Sequence, residues 1–97
     1  MTQPQPVKVN VLRRPDYRES YANSVQMRVN LWDFHLEFGT VSQTDPEVVT
    51  IDTFQGIFLS PQQAKALLNV LSQNVSQYEA TFGEIKLDPR AAGGVVQ

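Results

Sequence analysis

Asp33, His35 and Glu37 alternate along one segment and carry the side chains best suited to acid/base chemistry. Alternate residues of a β-strand share one face, so an imidazole between two carboxylates is a conceivable proton-transfer cluster. The same alternation is typical of a solvent-exposed strand face, which is the interpretation we favour. The sequence has no cysteine nucleophile, no glycine-rich phosphate loop and no nucleophile-elbow serine. We therefore predict that the chain is not an enzyme and needs no cofactor.

Covalent and metal stabilisation are equally poorly supported by the sequence. The 97 residues contain no cysteine and a single histidine, His35, and no carboxylate group has the spacing of a calcium loop. A domain of this size buries only about 60–65% of its unfolded surface. We therefore expect self-association, as a homodimer or a larger even oligomer, to supplement its stability.

Basic and aromatic residues are interleaved near the N-terminus, where Arg13, Arg14 and Arg18 surround Tyr17 and Tyr21. Basic charge beside aromatic rings can hold a phosphate backbone and stack bases, which is the pattern of single-stranded nucleic-acid binding. The isoelectric point near 5.2 is far from the basic footprint of such proteins. Nucleic-acid binding is therefore an alternative that we rank below protein binding.

The two signs of charge are segregated along the chain. Residues 1–28 hold five basic and two acidic residues, a local net charge of +3, whereas residues 29–59 hold five acidic residues and no Lys or Arg, a net of −5. We favour mutual neutralisation of these halves across neighbouring strands or subunits over an anion-binding face.

Aromatic residues exceed what one face of so small a sheet can cover. Two interpretations follow: one sheet face packs on the helix and the other in a homodimer, or the surface forms a groove for extended peptides, as in a chaperone. The candidate partner contacts are three aromatic residues, with three arginines as the electrostatic alternative: Trp32, Phe54 and Phe58, and Arg13, Arg14 and Arg18.

The element pattern begins after a predicted disordered N-terminal segment at residues 1–6. Val7, Val9 and Val11 alternate with polar residues and predict an edge strand. The single domain is predicted to span residues 7–88, followed by a flexible tail at residues 89–97.

The apolar alternation changes phase at Asn30–Asp33, since Val25 and Val29 precede it at odd positions whereas Phe34 follows at an even one. A one-residue shift moves side chains to the opposite face, so the chain must either turn back in a hairpin or contain a β-bulge. We favour the hairpin. Residues 39–46 are a loop by composition.

A third strand is predicted next, with Val49, Ile51 and Thr53 on one face and the same parity continuing through Ile57 and Leu59. Gly56 interrupts it, which predicts a bulge or bend near Phe54–Gln55–Gly56.

The helix start is the strongest local signal. Ser60 is a suitable N-cap, Pro61 fits the first helical position, and Gly83 offers a left-handed cap about 22 residues later. At 1.5 Å per residue this helix is about 33 Å long, more than the strands of a small sheet. Its predicted core stripe consists of Leu67, Leu68, Leu71, Val75 and Tyr78.

Residues 21–85 resemble an uncharacterised family of small prokaryotic proteins, domain-of-unknown-function family 3467. The resemblance is carried by Asp33-Phe34 with Leu36, Phe38 and Gly39, by Ser60–Lys65, by Leu67, Leu68 and Leu71, and by Tyr78-Glu79 with Phe82-Gly83. It implies a small stand-alone domain and brings no catalytic residues. In general plan, antiparallel strands before one long helix are similar to the SecB-type export chaperones.

The sequence thus predicts an α+β domain with an antiparallel sheet of three or four strands and one long C-terminal helix. Its predicted role is a non-enzymatic protein-binding or assembly module, or alternatively a SecB-like peptide-binding chaperone. No apolar run has the length of a signal peptide or a membrane span, so we expect the protein in the cytoplasm.

Overall fold

The computed structural model describes residues 6–87, apart from the side chain of Thr44. Three antiparallel strands in the order β1-β2-β3 form one sheet, and a single helix follows. The elements are β1 (Ser24–Val29), β2 (Phe34–Asp45), β3 (Val48–Leu59) and α1 (Pro61–Phe82). The predicted α+β architecture is confirmed, with three strands.

A tight turn at Asn30–Asp33 joins β1 to β2, so the hairpin is confirmed and the alternative of one long bulged strand is wrong. The Asn30 amide donates to the Asp33 carbonyl at 3.1 Å. Its side-chain oxygen accepts from the amides of Trp32 at 2.7 Å and Asp33 at 3.0 Å. Because the chain reverses here, Val29 pairs with Phe34 on the same sheet face.

The loop predicted at residues 39–46 is wrong, because β2 continues to Asp45. A short turn at Pro46 and Glu47 suffices, where the Glu47 amide donates to the Asp45 carboxylate at 2.9 Å. The polar composition of this stretch favours a loop locally. Pairing with β3, as in Thr40 opposite Asp52, satisfies the backbone groups and overrides that preference.

The predicted bulge in β3 is confirmed at Phe54. Gln55 pairs with Phe38 and Thr53 pairs with Gly39, which leaves Phe54 as an extra residue. An extra residue reverses the parity of the strand beyond it.

That reversal corrects one face assignment. Ile51 pairs with Val41, whereas Ile57 pairs with Leu36, so Ile51 and Ile57 point to opposite faces of the sheet. Their equal parity in the sequence predicted one shared face, and the bulge between them makes that prediction wrong.

The edge strand predicted at Val7–Val11 is also wrong, because residues 6–23 form no regular strand. Alternation reports side-chain periodicity, but a strand also needs a neighbour for its backbone. Val7, Val9 and Val11 are 77–86% exposed. Three parts of the predicted domain plan lie outside the described residues: residues 1–5 of the predicted disordered segment, Asp88 at the domain end, and the predicted tail at residues 89–97.

The helix bounds are confirmed. The Ser60 hydroxyl accepts from the Gln63 amide at 3.1 Å, and Pro61 occupies the first turn. Gly83 has the predicted positive φ, +104°, but its ψ of 168° differs from the left-handed helical conformation. No helix within residues 6–87 is both long and apolar enough to cross a lipid bilayer.

Leu36 is the only apolar side chain among the described residues that is fully buried, with 5% exposure. The helix contains no buried residue, so the stripe predicted as a core is not one within a single chain. The reason is geometric, since α1 leaves the sheet and contacts it sparsely, through the end of β3. The radius of gyration is 17.8 Å, against about 12 Å for a compact domain of this length.

Candidate protein interface

The sheet presents one face made almost entirely of apolar side chains, which we call the apolar face. Cross-strand pairing sets this face, as in Met27 opposite Leu36 and Leu36 opposite Ile57. Leu36 is covered because it is central, but Met27 and Val29 on the edge strand are 53% and 60% exposed. The apolar face comprises Val25, Met27, Val29, Phe34, Leu36, Phe38, Ile57 and Leu59.

A second apolar surface runs along α1, and we call it the helix stripe. Three- and four-residue spacing places its members on one side of the helix. Leu68 is 61% exposed, Leu71 55% and Phe82 74%, so no neighbouring element covers the stripe. Tyr78 and Phe82 contact each other with ring centroids 4.9 Å apart. The stripe comprises Ala64, Leu67, Leu68, Leu71, Val75, Tyr78 and Phe82.

The opposite face of the sheet carries the suspected acid/base residues. Arg28 donates through Nη2 to Glu37 Oε1 at 2.7 Å and to His35 Nδ1 at 2.9 Å. Since a guanidinium can only donate, Nδ1 is an acceptor and the neutral ring carries its proton on Nε2. The ring stacks on Phe58 with centroids 4.1 Å apart and lies over Gly56, where an added Cβ would be 2.9 Å from Nε2.

This cluster has the character of a cross-strand packing arrangement. His35 Nδ1 lies against Arg28 Nη2, the ring lies flat on Phe58, and the Arg28–Glu37 ion pair joins the basic first segment to the acidic second one. Asp33 does not join it. Asp33 lies in the turn, where its carboxylate accepts from the side-chain amide, Nδ2, of Asn30 at 3.0 Å. Residues 6–87 contain no group of three or more histidine and carboxylate side chains placed to hold a metal ion.

The three aromatic candidates lie in separate places. Trp32 is 78% exposed in the β1–β2 turn, Phe54 is 45% exposed at the bulge, and Phe58 is 65% exposed on its stack with His35. In the described part of the chain the ring contacts are His35 with Phe58 and Tyr78 with Phe82. The structure therefore does not gather the three candidates into one ring cluster.

The arginine candidates lie in the N-terminal segment at residues 6–23, which we call the arm. The Arg13 guanidinium lies 4.8 Å from the centre of the Tyr17 ring, and Arg14 pairs with Asp16 at 3.2 Å. Both contacts are local and exposed, so each contributes at most about 1 kcal/mol.

A cleft between the arm and the sheet brings the basic candidates and one aromatic candidate together. The arm side presents arginines and tyrosines, and the sheet side presents Phe38, Phe54 and Ile57. Sequence reasoning identified Phe54 and the arginines but not their shared cleft, because the fold-back of an irregular segment has no periodic signal. The arm side is lined by Arg13, Arg14, Arg18, Tyr17 and Tyr21, among others.

Comparison with known proteins gives a family but no activity. No curated protein and no solved structure matches the chain. A family of proteins of unknown function, DUF3467, has a sequence profile that matches residues 1–87. Because that match covers most of the 97 residues, the chain belongs to the DUF3467 family.

Proposed function

We propose that this protein is a self-associating, non-enzymatic protein-binding module whose hydrophobic core is completed by further copies of the same chain. The observation that carries the proposal is the state of Leu36, the one fully buried apolar side chain among residues 6–87. Every other large apolar residue in this range keeps part of its surface in water, both in the rest of the apolar face and in the helix stripe.

The energetics favour a partner. Folding must offset the conformational entropy that the chain loses, mainly through burial of apolar surface, and Leu36 is the only apolar side chain of residues 6–87 that is buried. Partly covered side chains add to that burial, but Met27, Val29 and Phe82 remain more than half exposed. A solitary chain with this surface has too little buried apolar area to hold its fold. A copy of itself is the partner always present at matched concentration.

The polar face supports a non-enzymatic role. His35 and Glu37, the best acid/base pair in the sequence, are held by Arg28 and by the stack on Phe58. A general base needs a free acceptor facing a substrate. Here the Nδ1 acceptor is already taken by the guanidinium, so the cluster is suited to hold two strands together. We place the module in the cytoplasm, in line with the sequence-based expectation.

The direct test is the solution mass. Light scattering and sedimentation over a range of concentrations should show a dimer or a larger even oligomer whose thermal midpoint rises with protein concentration. A monomeric species with a cooperative, concentration-independent unfolding transition would contradict the proposal. Binding of an apolar dye to such a monomer would show that its apolar surfaces remain in water.

A second candidate function is the binding of extended peptides, and the cleft between arm and sheet is the observation that favours it. Aromatic side chains at an irregular bulge can accept varied apolar residues, as a chaperone requires. The arginines on the arm side suit acidic residues in the same segment.

Fluorescence anisotropy with labelled peptides tests this candidate. Phe54→Ala should weaken the binding of an extended apolar peptide about tenfold or more, whereas Trp32→Ala, an exposed aromatic change outside the cleft lining, should not. Equal effects of the two substitutions would contradict the cleft assignment. If a single-stranded oligonucleotide binds instead, with affinity falling steeply as salt is raised, the nucleic-acid alternative is supported.

A further inference from the structure

We infer that two copies pair through α1 as antiparallel helices, with Lys65 of each copy beside Glu79 of the partner subunit. This inference rests on the proposed self-association and specifies one of its contacts. It follows from the spacing, the size and the charge of residues on the uncovered side of the helix.

The spacing along the helix stripe is that of a coiled-coil seam. Six of its members follow one another at intervals of four, three, four, three and four residues, and three heptads of this kind place one apolar line along a helix. Within residues 6–87 no other element buries this line, since α1 has no buried residue. We call these six residues the seam: Ala64, Leu68, Leu71, Val75, Tyr78 and Phe82.

The seam is self-complementary when the second helix runs in the opposite direction. A two-fold axis beside Gln73 relates residues that lie equally far on either side of it. Ala64 then meets Phe82 of the partner subunit, Leu68 meets Tyr78 of the partner subunit, and Leu71 meets Val75 of the partner subunit. All six seam residues are used.

Residue size favours the same direction. The antiparallel arrangement places one smaller and one larger side chain in each layer, which fills space evenly along the seam. A parallel pair would instead stack Phe82 on its own copy at one end and Ala64 on its own copy at the other. That arrangement crowds one end and leaves a void at the other.

Charge gives an independent argument. Lys65 and Glu79 are the only charged residues of α1, and they lie equally far on either side of Ser72, one residue from the centre of the seam at Gln73. Each follows a seam residue directly, so the two remain within about 3 Å of the same level along an antiparallel pair. The heptad spacing places both on the same flank of the seam, where facing charges meet across a helix pair. Within one chain they are 14 residues apart, about 21 Å along the helix, so they cannot pair with each other.

The antiparallel pair brings Lys65 to Glu79 of the partner subunit twice, once at each end of the seam. Glu79 is held for this contact, because its Oε2 already accepts from the Ile85 amide at 2.9 Å. Its other carboxylate oxygen keeps its capacity to accept from the ammonium group.

Charge reversal tests the contact. At low salt, Lys65→Glu and Glu79→Lys should each raise the dimer dissociation constant about tenfold, because each replaces two attractive pairs by two repulsive ones. The double variant carrying both changes restores opposite charges and should return to within about threefold of the wild-type value. Unchanged single variants, or a double variant as weak as the singles, would overturn the helix pairing.

Cross-linking tests the direction, and the absence of native cysteine makes it clean. Asn74→Cys and Thr81→Cys occupy equivalent exposed positions on the other flank of the seam. In the antiparallel pair, the two copies of residue 74 face each other, while those of residue 81 are separated by about 24 Å along the axis. A short bis-maleimide should therefore link the first variant and not the second.

Equal cross-linking at both positions would indicate parallel helices and overturn the inference, and so would cross-linking at neither position in a preparation that is dimeric. A monomeric wild-type protein would instead refute the proposed self-association itself. The two failures are thus distinguishable.

Discussion

The Leu71→Ala substitution removes the largest aliphatic side chain from the middle of the helix stripe. In the single chain Leu71 is 55% exposed, so truncation there loses little internal packing. In the antiparallel helix pair the same side chain meets Val75 of the partner subunit and loses its remaining contact with water. The cost of the substitution therefore falls mainly on assembly.

The magnitude follows from the exposed fraction. Full burial of a leucine side chain stabilises by about 1.5–3 kcal/mol, so covering a little over half of it contributes about 1–1.5 kcal/mol. Each dimer holds two copies, which gives about 2–3 kcal/mol. The dimer dissociation constant should therefore rise roughly 30- to 150-fold.

Sedimentation equilibrium measures this change, and Leu87→Ala provides the matched control. Leu87 is 71% exposed but lies beyond the helix, outside the stripe. The control should keep the wild-type dissociation constant. If Leu71→Ala leaves the constant unchanged, or lowers stability equally at all protein concentrations, then the stripe is not an interface between copies.

Three further substitutions test the fold, each read as a thermal midpoint at fixed protein concentration. Gly39→Ala should lower the free energy of unfolding by about 1–3 kcal/mol, because the new Cβ would lie 2.6 Å from the Asp52 carbonyl oxygen and the backbone must shift. An unchanged midpoint would mean that β2 and β3 can move apart at this position at little cost. Asn30→Ala should cost about 1–2 kcal/mol by removing the acceptor of two turn amides, whereas Asn30→Asp, which keeps an acceptor, should cost less. Ser60→Ala should cost about 1 kcal/mol by leaving the Gln63 amide without its cap, and Ser60→Thr should retain most of the stability.

The sequence predicted best those elements whose signals are local. The bounds of α1 follow from Ser60, Pro61 and Gly83, which act through their own backbone and caps. The β1–β2 hairpin follows from the change of apolar phase at Asn30–Asp33. A reversal of the chain there places the apolar side chains before and after the change on the same face of the sheet. The bulge at Phe54 was indicated by Gly56, two residues away.

Predictions failed where a distant neighbour decides the outcome. Val7–Val11 alternates as a strand should, but within residues 6–87 it pairs with no strand. Residues 39–45 have a loop composition, but β3 offers them hydrogen-bond partners along most of their length. The cleft that joins Phe54 to the arm depends on the path of an irregular segment. In each case the sequence of the segment itself does not show which distant part of the backbone lies beside that segment.

The helix stripe and the apolar face are two different surfaces, each of which leaves large apolar side chains exposed in the single chain, and this sets a condition on the assembly. A seam between two copies of α1 accounts for the stripe alone. Met27 and Val29 lie on the edge strand β1, on the far side of β2 from β3, to which α1 is attached. In the proposed assembly, a second kind of contact, made either within the same dimer or between dimers, would cover them. A two-fold helix pair combined with a two-fold sheet contact, where the two close on each other, gives an even oligomer. We therefore expect a tetramer to separate into dimers, and not directly into single chains, when the seam alone is broken.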